Sequence, residues 1–230
     1  AAAEARGYGW PDADAGAFDW PAFRGRLHDE LSRLEGIYTD GLRAAGVDIH
    51  HTRAHLVDHH TVALADGRQF TARHILIAVG GRPSLPGIPG EELGMISDDL
   101  FTMERVPGRV LVVGGGFIAC EYATILQGLG ADTTLAYRGD KVLRGFDEEC
   151  RQLVTHQLEH VGITLRLNAT PARLDREGAG IRVTYEDGAV ETHDAVMFAT
   201  GRHPNTAGLG LENTGVQLGE RGEIVVDEWS

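Results

Sequence analysis

The residues whose types and spacing most clearly indicate a binding function form a glycine-rich turn near the middle of the chain. Gly114, Gly116 and Ala119 follow an apolar run at 109–113, and Phe117 opens an apolar, helix-like stretch. Gly114 permits a tight turn, Gly116 lets the backbone approach a pyrophosphate, and Ala119 lets helix and strand pack closely. The helix N-terminus adds free N–H groups and a partial positive charge. The pattern predicts a dinucleotide-binding loop, and a glycine turn without a ligand is the alternative.

Two arginines follow the next strand-like run, residues 133–137. Arg138 comes directly after this run, and Arg144 lies six residues further on. Enzymes that use NAD place Asp or Glu at this point to bind the ribose hydroxyls, and this chain has no carboxylate there. Because guanidinium groups grip phosphate bidentately, the pair predicts NADP, bound as NADPH when reduced. The alternative is that both are solvated surface arginines near Asp140 and Asp147.

Strand-like and helix-like patterns alternate through the second half of the chain. Amphipathic runs suited to helices cover residues 117–129 and 147–161. Apolar runs suited to buried strands cover residues 109–113, 133–137, 163–167 and 195–199. Two further strands flank the turn Asp187-Gly188. This alternation indicates an α/β fold with a parallel sheet and helical crossovers.

The first half combines one long helix with short strands. Apolar residues recur every three or four positions over residues 20–45, which predicts a helix that ends at Gly46. Short strands are predicted beside it at 47–49, 61–64, 69–71 and 74–79, with the hairpin turn Asp66-Gly67 between the middle two. The Pro- and Gly-rich stretch 83–90 is the best candidate for a domain boundary.

Net charge, the length of apolar runs and the cysteine and histidine content limit the kinds of molecule that the chain is expected to bind. The net charge is −13, so the surface repels phosphate backbones and no nucleic-acid partner is expected. No apolar run approaches the ~20 residues that cross a bilayer, so no membrane partner is expected either. Cys120 and Cys150 are the only cysteines, which is typical of a reducing cytosol and predicts a cytoplasmic location. Five histidines between His50 and His60 lack partners spaced to complete a coordination shell, so no metal site is predicted.

Beyond these motifs, long stretches of the sequence match one enzyme family. Over almost all of residues 18–230 the chain resembles the pyridine nucleotide–disulfide oxidoreductases, and within them the glutathione reductase group. The matching segments are 33–38, 75–83, 112–122, 126–131, 137–147, 198–205 and 222–227. The resemblance implies a Rossmann-like NAD(P)-binding domain inserted in a partial FAD-binding domain, with a three-layer ββα arrangement. The NADP-binding domain would span 82–204, flanked by the FAD-binding segments 1–81 and 205–230.

The resemblance also implies roles for individual residues. Phe117 would cover the nicotinamide pocket until NADPH enters. Tyr38 would contact glutathione disulfide, and its alternative is a core position on the first helix. Ala54 and Gly80 would contact FAD. The NADP site would comprise Gly114, Gly115, Gly116, Ile118, Ala119, Glu121, Arg138, Arg144 and Gly201.

The activity that the resemblance implies is electron transfer from NADPH through FAD and a cysteine pair to glutathione disulfide, in an enzyme that is a homodimer when whole. The family's redox cysteines are four residues apart. Cys120 and Cys150 do not have that spacing and are expected to be packing residues, and the family's catalytic His is also absent from the chain. No catalytic residue is therefore assigned, and the 230-residue chain alone is expected to be inactive. Two alternatives stay open: a non-catalytic NADP-binding module, or a relative that acts on trypanothione, mycothiol or mercuric ion.

Overall fold

The structure is a computed structural model that describes Gly16 and residues 18–229, so both extreme ends of the predicted FAD-binding segments lie outside the described residues. Within the described residues the helices are α1 (Trp20–Ala44), α2 (Phe117–Gly128) and α3 (Glu148–His160). The strands are β1 (Ala54–Leu56), β2 (Thr61–Leu64), β3 (Gln69–Thr71), β4 (Gly81–Pro83), β5 (Arg109–Val113), β6 (Asp132–Tyr137), β7 (Thr164–Leu167), β8 (Pro171–Glu177), β9 (Gly180–Tyr185), β10 (Val190–His193), β11 (Ala195–Phe198) and β12 (Arg202–Pro204). Short 3-10 helices cover Glu91–Leu93, Ser97–Thr102 and Leu211–Asn213.

A parallel sheet with the strand order β11-β5-β6-β7 forms the centre of the second half. Helix α2 joins β5 to β6, and α3 joins β6 to β7. Parallel strands need such crossovers because a tight turn cannot connect them. The predicted helices and parallel strands agree with the structure to within one residue at each end, and the predicted α/β fold is confirmed.

Both faces of the parallel sheet are covered, which accounts for its nearly continuous apolar strands. Along β5, Val110 and Val112 pack in a core with α2, while Leu111 and Val113 pack in a second core against the antiparallel sheet β8-β9-β10. Successive side chains point to opposite faces of a strand, so one apolar run contributes to both cores. Helices, parallel sheet and antiparallel sheet therefore form the predicted three layers.

Strands β4 and β12 bring two distant parts of the chain together. They pair antiparallel, with Arg82 opposite His203. Just beyond them the Ser84 N–H donates to the Gly201 carbonyl over 2.9 Å, and the Thr200 hydroxyl donates to the Ser84 carbonyl over 2.7 Å. The two limits predicted for the NADP-binding domain, 82 and 204, therefore lie side by side. The limits themselves stay a prediction.

Helix α1 is long and mostly exposed. Asp19 caps its N-terminus by accepting a hydrogen bond from the Ala22 N–H at 3.0 Å, and Gly46, with a φ of +78°, follows its end. Trp20 is its one buried residue, and the indole N–H donates to the Met103 carbonyl at 2.8 Å. No helix among residues 18–229 is both long enough and apolar enough to span a bilayer.

Two predicted strands of the first half are wrong. Residues 47–49 and 74–79 pair with none of the described strands. A strand is stable only where a neighbour takes its backbone N–H and C=O groups, and neither run has such a neighbour among residues 18–229. Leu76 is 89% exposed, against the burial that its apolar run predicted. The predicted hairpin is confirmed, because β2 and β3 pair across the turn that contains Gly67.

Candidate nucleotide-binding site

The glycine loop lies at the carboxyl ends of β5 and β11. Gly114 has a φ of +146°, and a Cβ there would collide with the Ala199 carbonyl at the end of β11. A Cβ on Gly115 would lie 2.5 Å from the Tyr137 ring. Only glycine fits these two positions. The backbone therefore runs directly against the ends of three parallel strands.

The N-terminus of α2 opens from this loop. Gly116 is its N-cap, and no side chain caps the first N–H groups of the helix. A Cβ on Gly116 would meet nothing within 4 Å, whereas Ala119 is fully buried and Ile118 is half-buried. Uncapped N–H groups, the positive end of a helix dipole and open space are what a pyrophosphate requires. The loop therefore fits a dinucleotide.

The segment after β6 folds back onto the glycine loop. The Leu143 N–H donates to the Gly115 carbonyl at 2.6 Å. Leu143 is buried and has a φ of +58°, a conformation uncommon for a branched residue. The Tyr137 ring packs against both Gly115 and Gly139, where a Cβ would lie 2.6 Å from the ring. This segment carries Arg144 directly after Leu143, beside the glycine loop.

Both predicted phosphate-binding arginines are exposed and unpaired. Neither Arg138 nor Arg144 makes an ion pair or side-chain hydrogen bond with a residue that the structure describes. Their acidic neighbours are engaged elsewhere. Asp140 lies 3.8 Å from Arg151, and Asp147 caps α3 by accepting backbone hydrogen bonds at 3.0 and 3.2 Å. The two guanidinium groups are therefore available to an anion.

The remaining residues predicted for this site lie around the same sheet edge. Phe117, the first residue of α2, is 56% exposed. Glu121 lies one turn later, is exposed and makes no hydrogen bond or ion pair within residues 18–229. Gly201 follows Ala199 by two residues, and its carbonyl accepts the hydrogen bond from Ser84. The structure thus brings the predicted NADP-site residues together.

A family model for pyridine nucleotide-disulphide oxidoreductases matches residues 4–230. The chain belongs to the pyridine nucleotide-disulphide oxidoreductase family. Membership in this family implies flavin and pyridine nucleotide cofactors, which agrees with a dinucleotide loop at the end of β5. The resemblance predicted from sequence is confirmed at this level.

Relatives of known function are similar over nearly the whole chain. A glutathione reductase of Burkholderia cepacia is 41% identical over 227 residues, which cover 99% of this chain and 50% of that protein. The chloroplastic and mitochondrial glutathione reductase of Pisum sativum is 40% identical over 228 residues, which cover 99% of this chain and 41% of that protein. This member of the oxidoreductase family therefore spans about half the length of the relatives it matches.

Solved structures of the family share the fold. The HOCl-induced flavoprotein disulfide reductase RclA of Escherichia coli is 26% identical with a TM-score of 0.85, over 91% of this chain and 49% of that one. LpdA of Mycobacterium tuberculosis is 28% identical with a TM-score of 0.85, over 98% of this chain and 51% of that one. The fold is therefore that of the flavoprotein disulfide reductases.

The two residues predicted for FAD contacts, Ala54 and Gly80, lie in the first half of the chain. Ala54 lies on β1, the edge strand of the sheet β1-β2-β3, and is exposed. The Leu56 N–H points out of this sheet and donates to the Leu209 carbonyl at 2.7 Å. Because successive N–H groups point in opposite directions along a strand, the Ala54 N–H points away from β2, as the Leu56 N–H does. The Gly80 carbonyl accepts a hydrogen bond from the Asn205 N–H at 2.9 Å.

Tyr38 is a surface residue. Its side chain is 71% exposed, so the alternative of a core position is wrong. It lies on α1 about 27 Å along the helix axis from Trp20, at 1.5 Å per residue. Exposure leaves the phenol accessible to a ligand, and the predicted contact with glutathione disulfide stays a prediction.

The two cysteines occupy different environments. Cys120 is buried, and burial, followed by the charge of Glu121, raises the pKa of its thiol to about 11. The thiol is therefore protonated and unreactive at neutral pH. Cys150 is exposed, so the prediction that it is a packing residue is wrong.

Among the described residues, no group of three or more His, Cys, Asp or Glu side chains could hold a metal ion.

A cleft of about 450 Å³ lies at the other end of the parallel sheet. Its lining includes Pro107 and Gly108, just before β5, and Asp194, just before β11. Ligands of open α/β sheets bind outside the carboxyl ends of the strands. The cleft is therefore separate from the nucleotide site.

Sequence reasoning missed three residues that shape this site. The Tyr137 ring packs against two glycines. The Leu143 N–H joins the segment that carries Arg144 to the glycine loop. Arg151 on α3 donates a hydrogen bond to the backbone of the same segment. An aromatic residue at a strand end with a glycine two positions later is a signal that could have indicated Tyr137. Leu143 and Arg151 act through geometry that no local pattern shows.

Proposed function

We propose that this chain is the nucleotide-binding and central part of an NADPH-dependent flavoprotein disulfide reductase that acts on glutathione disulfide. The observation that carries the proposal is the pair of exposed, unpaired guanidinium groups, Arg138 and Arg144, beside a glycine loop. Family membership supplies the class of reaction. The glutathione reductases that are 41% and 40% identical support the choice of substrate.

NADPH is preferred over NADH in this proposal because of charge. A 2′-phosphate would form charge-assisted, bidentate hydrogen bonds with Arg138 and Arg144. NADH lacks this phosphate and would leave both cations without an anion. A carboxylate that binds the ribose hydroxyls of NAD is missing as well, because β6 ends at Tyr137 and is followed by Arg138.

The chain's own residues bind and orient the nucleotide. The uncapped N-terminus of α2 would hold the pyrophosphate above Gly116, and the exposed ring of Phe117 would cover the nicotinamide pocket until the cofactor enters. We propose FAD as the flavin, with its adenine against the open backbone edge at Ala54 and with Gly80 nearby. Bound FAD would supply hydride acceptance from NADPH and electron transfer to a disulfide.

The 230 residues would bind cofactor without turnover. Cys120 is buried with a pKa of about 11, Cys150 is exposed, and the two lack the four-residue spacing of the family's redox cysteines, so we expect no redox pair. This observation favours a second candidate, a non-catalytic NADP-binding module. A homodimeric state of the whole enzyme and a cytoplasmic location complete the proposal.

The decisive experiment is a titration of the full chain with NADPH and with NADH, followed by the fluorescence of the reduced nicotinamide. We expect NADPH to bind at least about tenfold more tightly, since hydrogen bonds between charged groups contribute about 1.5–3 kcal/mol. Arg138→Ala should remove most of this difference. Arg173→Ala is the matched control, because Arg173 is an exposed arginine whose one ion-pair partner within the described part of the chain is Asp175.

Equal affinity of the unmutated chain for both nucleotides would contradict the assignment of NADPH.

An absorption spectrum of the purified chain tests for bound flavin. An assay with FAD, NADPH and glutathione disulfide should show no turnover. Measurable reduction of the disulfide would mean that Cys120 or Cys150 takes part in the chemistry.

A further inference from the structure

A third arginine, Arg151 on α3, holds the segment that carries the two phosphate-binding arginines. Its side chain is only 19% exposed. The Nε atom donates to the Val142 carbonyl at 3.1 Å, and Nη2 donates to the Lys141 carbonyl at 3.2 Å. The planar guanidinium fork thus bridges two consecutive carbonyls, a geometry that a lysine ammonium does not reproduce.

The same side chain engages the nearby carboxylates. Nη1 donates to Glu148 Oε2 at 2.8 Å, and Nη2 lies 3.8 Å from Asp140 Oδ1. Lys141 pairs with the other oxygen of Glu148. Both acidic groups are therefore directed toward cations that the proposed phosphate site does not use.

We propose that Arg151 is a positioning residue that determines selectivity for NADPH over NADH, an inference that rests on the proposed function. It fixes the backbone at Lys141 and Val142, so that the next residue, Leu143, reaches the Gly115 carbonyl and places Arg144 beside the glycine loop. It also keeps Asp140, which lies between Arg138 and Arg144 in sequence, from pairing with either of them.

Loss of Arg151 would affect the phosphate and spare the rest of the nucleotide. A released Asp140 carboxylate would compete with the 2′-phosphate for the guanidinium groups. Among the described residues, Arg151 makes no hydrogen bond or ion pair with the glycine loop or the N-terminus of α2, which would bind the pyrophosphate common to NADPH and NADH. The effect should therefore appear in the ratio of the two affinities.

The test measures Kd for NADPH and for NADH with the full chain and its Arg151→Gln variant. We expect the affinity for NADPH to fall roughly fivefold to tenfold, the size of coupling found between residues of one network, while the affinity for NADH stays within about twofold. Arg173→Gln, with the same change of charge at an exposed side chain of β8, should leave both affinities unchanged. Arg151→Lys should retain part of the selectivity that Arg151→Gln loses. Lysine keeps the positive charge, but its ammonium group lacks the planar, forked set of N–H donors of arginine.

A double-mutant cycle separates positioning from general stability. In the Arg138→Ala, Arg144→Ala background, Arg151→Gln should have no further effect on NADPH binding, since the groups through which it acts are gone. Unchanged selectivity in Arg151→Gln, or an equal loss of both affinities, would overturn the inference and leave the proposed function intact. An unmutated chain without selectivity would instead overturn the proposed function. Should Arg151→Gln fail to fold, the same comparison applies to Arg151→Lys.

Discussion

The Leu143 N–H donates a hydrogen bond of 2.6 Å to the Gly115 carbonyl, and this bond joins the segment after β6 to the turn after β5. The two segments come from the ends of neighbouring parallel strands. Leu143 reaches the bond only because it adopts a φ of +58°, and Gly115 reaches it only because the absence of a side chain lets it pack on Tyr137. The nucleotide loop and the arginine segment are therefore joined by a direct backbone hydrogen bond.

Substitution by alanine should mainly lower stability at Gly115 and mainly weaken nucleotide binding at the neighbouring Gly116. Gly115→Ala places a Cβ 2.5 Å from the Tyr137 ring, so we expect destabilisation of about 1–3 kcal/mol from overpacking. Gly116→Ala meets nothing within 4 Å, so stability should fall by less than about 1 kcal/mol, the preference for glycine over alanine at an N-cap, while NADPH binding weakens. Urea unfolding and nucleotide titration measure the two effects. Equal stability of the two variants would show that the close packing under Gly115 is unimportant.

The contribution of Arg144 can be isolated with fragments of the cofactor. Adenosine 2′,5′-bisphosphate carries the 2′-phosphate, and 5′-AMP lacks it. Arg144→Ala should weaken binding of the bisphosphate by about 1.5–3 kcal/mol, the contribution of hydrogen bonds to charged groups, and leave 5′-AMP unchanged. Calorimetry measures both. A similar loss for both ligands would place Arg144 at the adenosine or the 5′-phosphate instead.

The two cysteines should differ in reactivity toward iodoacetamide. Cys150 is exposed, whereas Cys120 is buried with a thiol pKa of about 11. Because the thiolate is the reactive form, we expect mass spectrometry of the native protein at pH 8 to show alkylation of Cys150 alone. Cys120 should react only after addition of urea. Labelling of a Cys150→Ser variant under native conditions would contradict the buried position of Cys120.

Stability should decrease as the pH falls below neutrality because of His193. This side chain is buried, and burial lowers its pKa below 6.5, against the opposing hydrogen bond from Nε2 to Glu191 at 3.2 Å. A His with a lowered pKa in the folded state contributes stability above its unfolded pKa, and this contribution is lost as the pH falls through the folded value. Urea unfolding between about pH 7.5 and pH 5 measures the decrease.

His193→Gln should flatten that pH dependence, and His156→Gln, an exposed position on α3, should not change it. The window avoids the titration of Glu191. Although burial acts to raise the pKa of Glu191, hydrogen bonds from His193 and Tyr185 lower it below 4.5, so its own contribution is lost only at lower pH. An unchanged slope in His193→Gln would assign the effect to other groups.

The parallel-sheet half of the fold was predictable because its signals are local. Each apolar run there is a strand covered on both faces, and each intervening amphipathic run is a helix. The predicted strand at 74–79 has the same apolar character but pairs with no described strand, and sequence alone does not show whether a partner is present. Strand β8 was missed because it is an edge strand in which charged residues, Arg173 and Asp175, flank the buried Leu174.

The site was predictable where chemistry depends on residue type and not where it depends on long-range geometry. The glycine loop and the two arginines follow from spacing relative to strand ends. The role of Leu143 depends on a left-handed backbone conformation, and that of Arg151 on a helix that packs beside the segment. Neither has a signature in the linear order of residues.

The antiparallel pairing of β4 with β12 has a consequence for how this architecture could arise. The chain leaves toward the parallel sheet at Gly81–Pro83 and returns at Arg202–Pro204, directly alongside its point of departure. Such an arrangement resembles a hairpin in which the folded domain is the tip and β4 and β12 are the stem, and α1 also contacts the tip where Trp20 bonds to Met103. Bringing the stem together costs little more for a long tip than for a short one, because closure entropy grows slowly with length. Evolution could therefore replace the tip as a unit, altering the bound nucleotide while the pairing of β4 with β12 stayed the same.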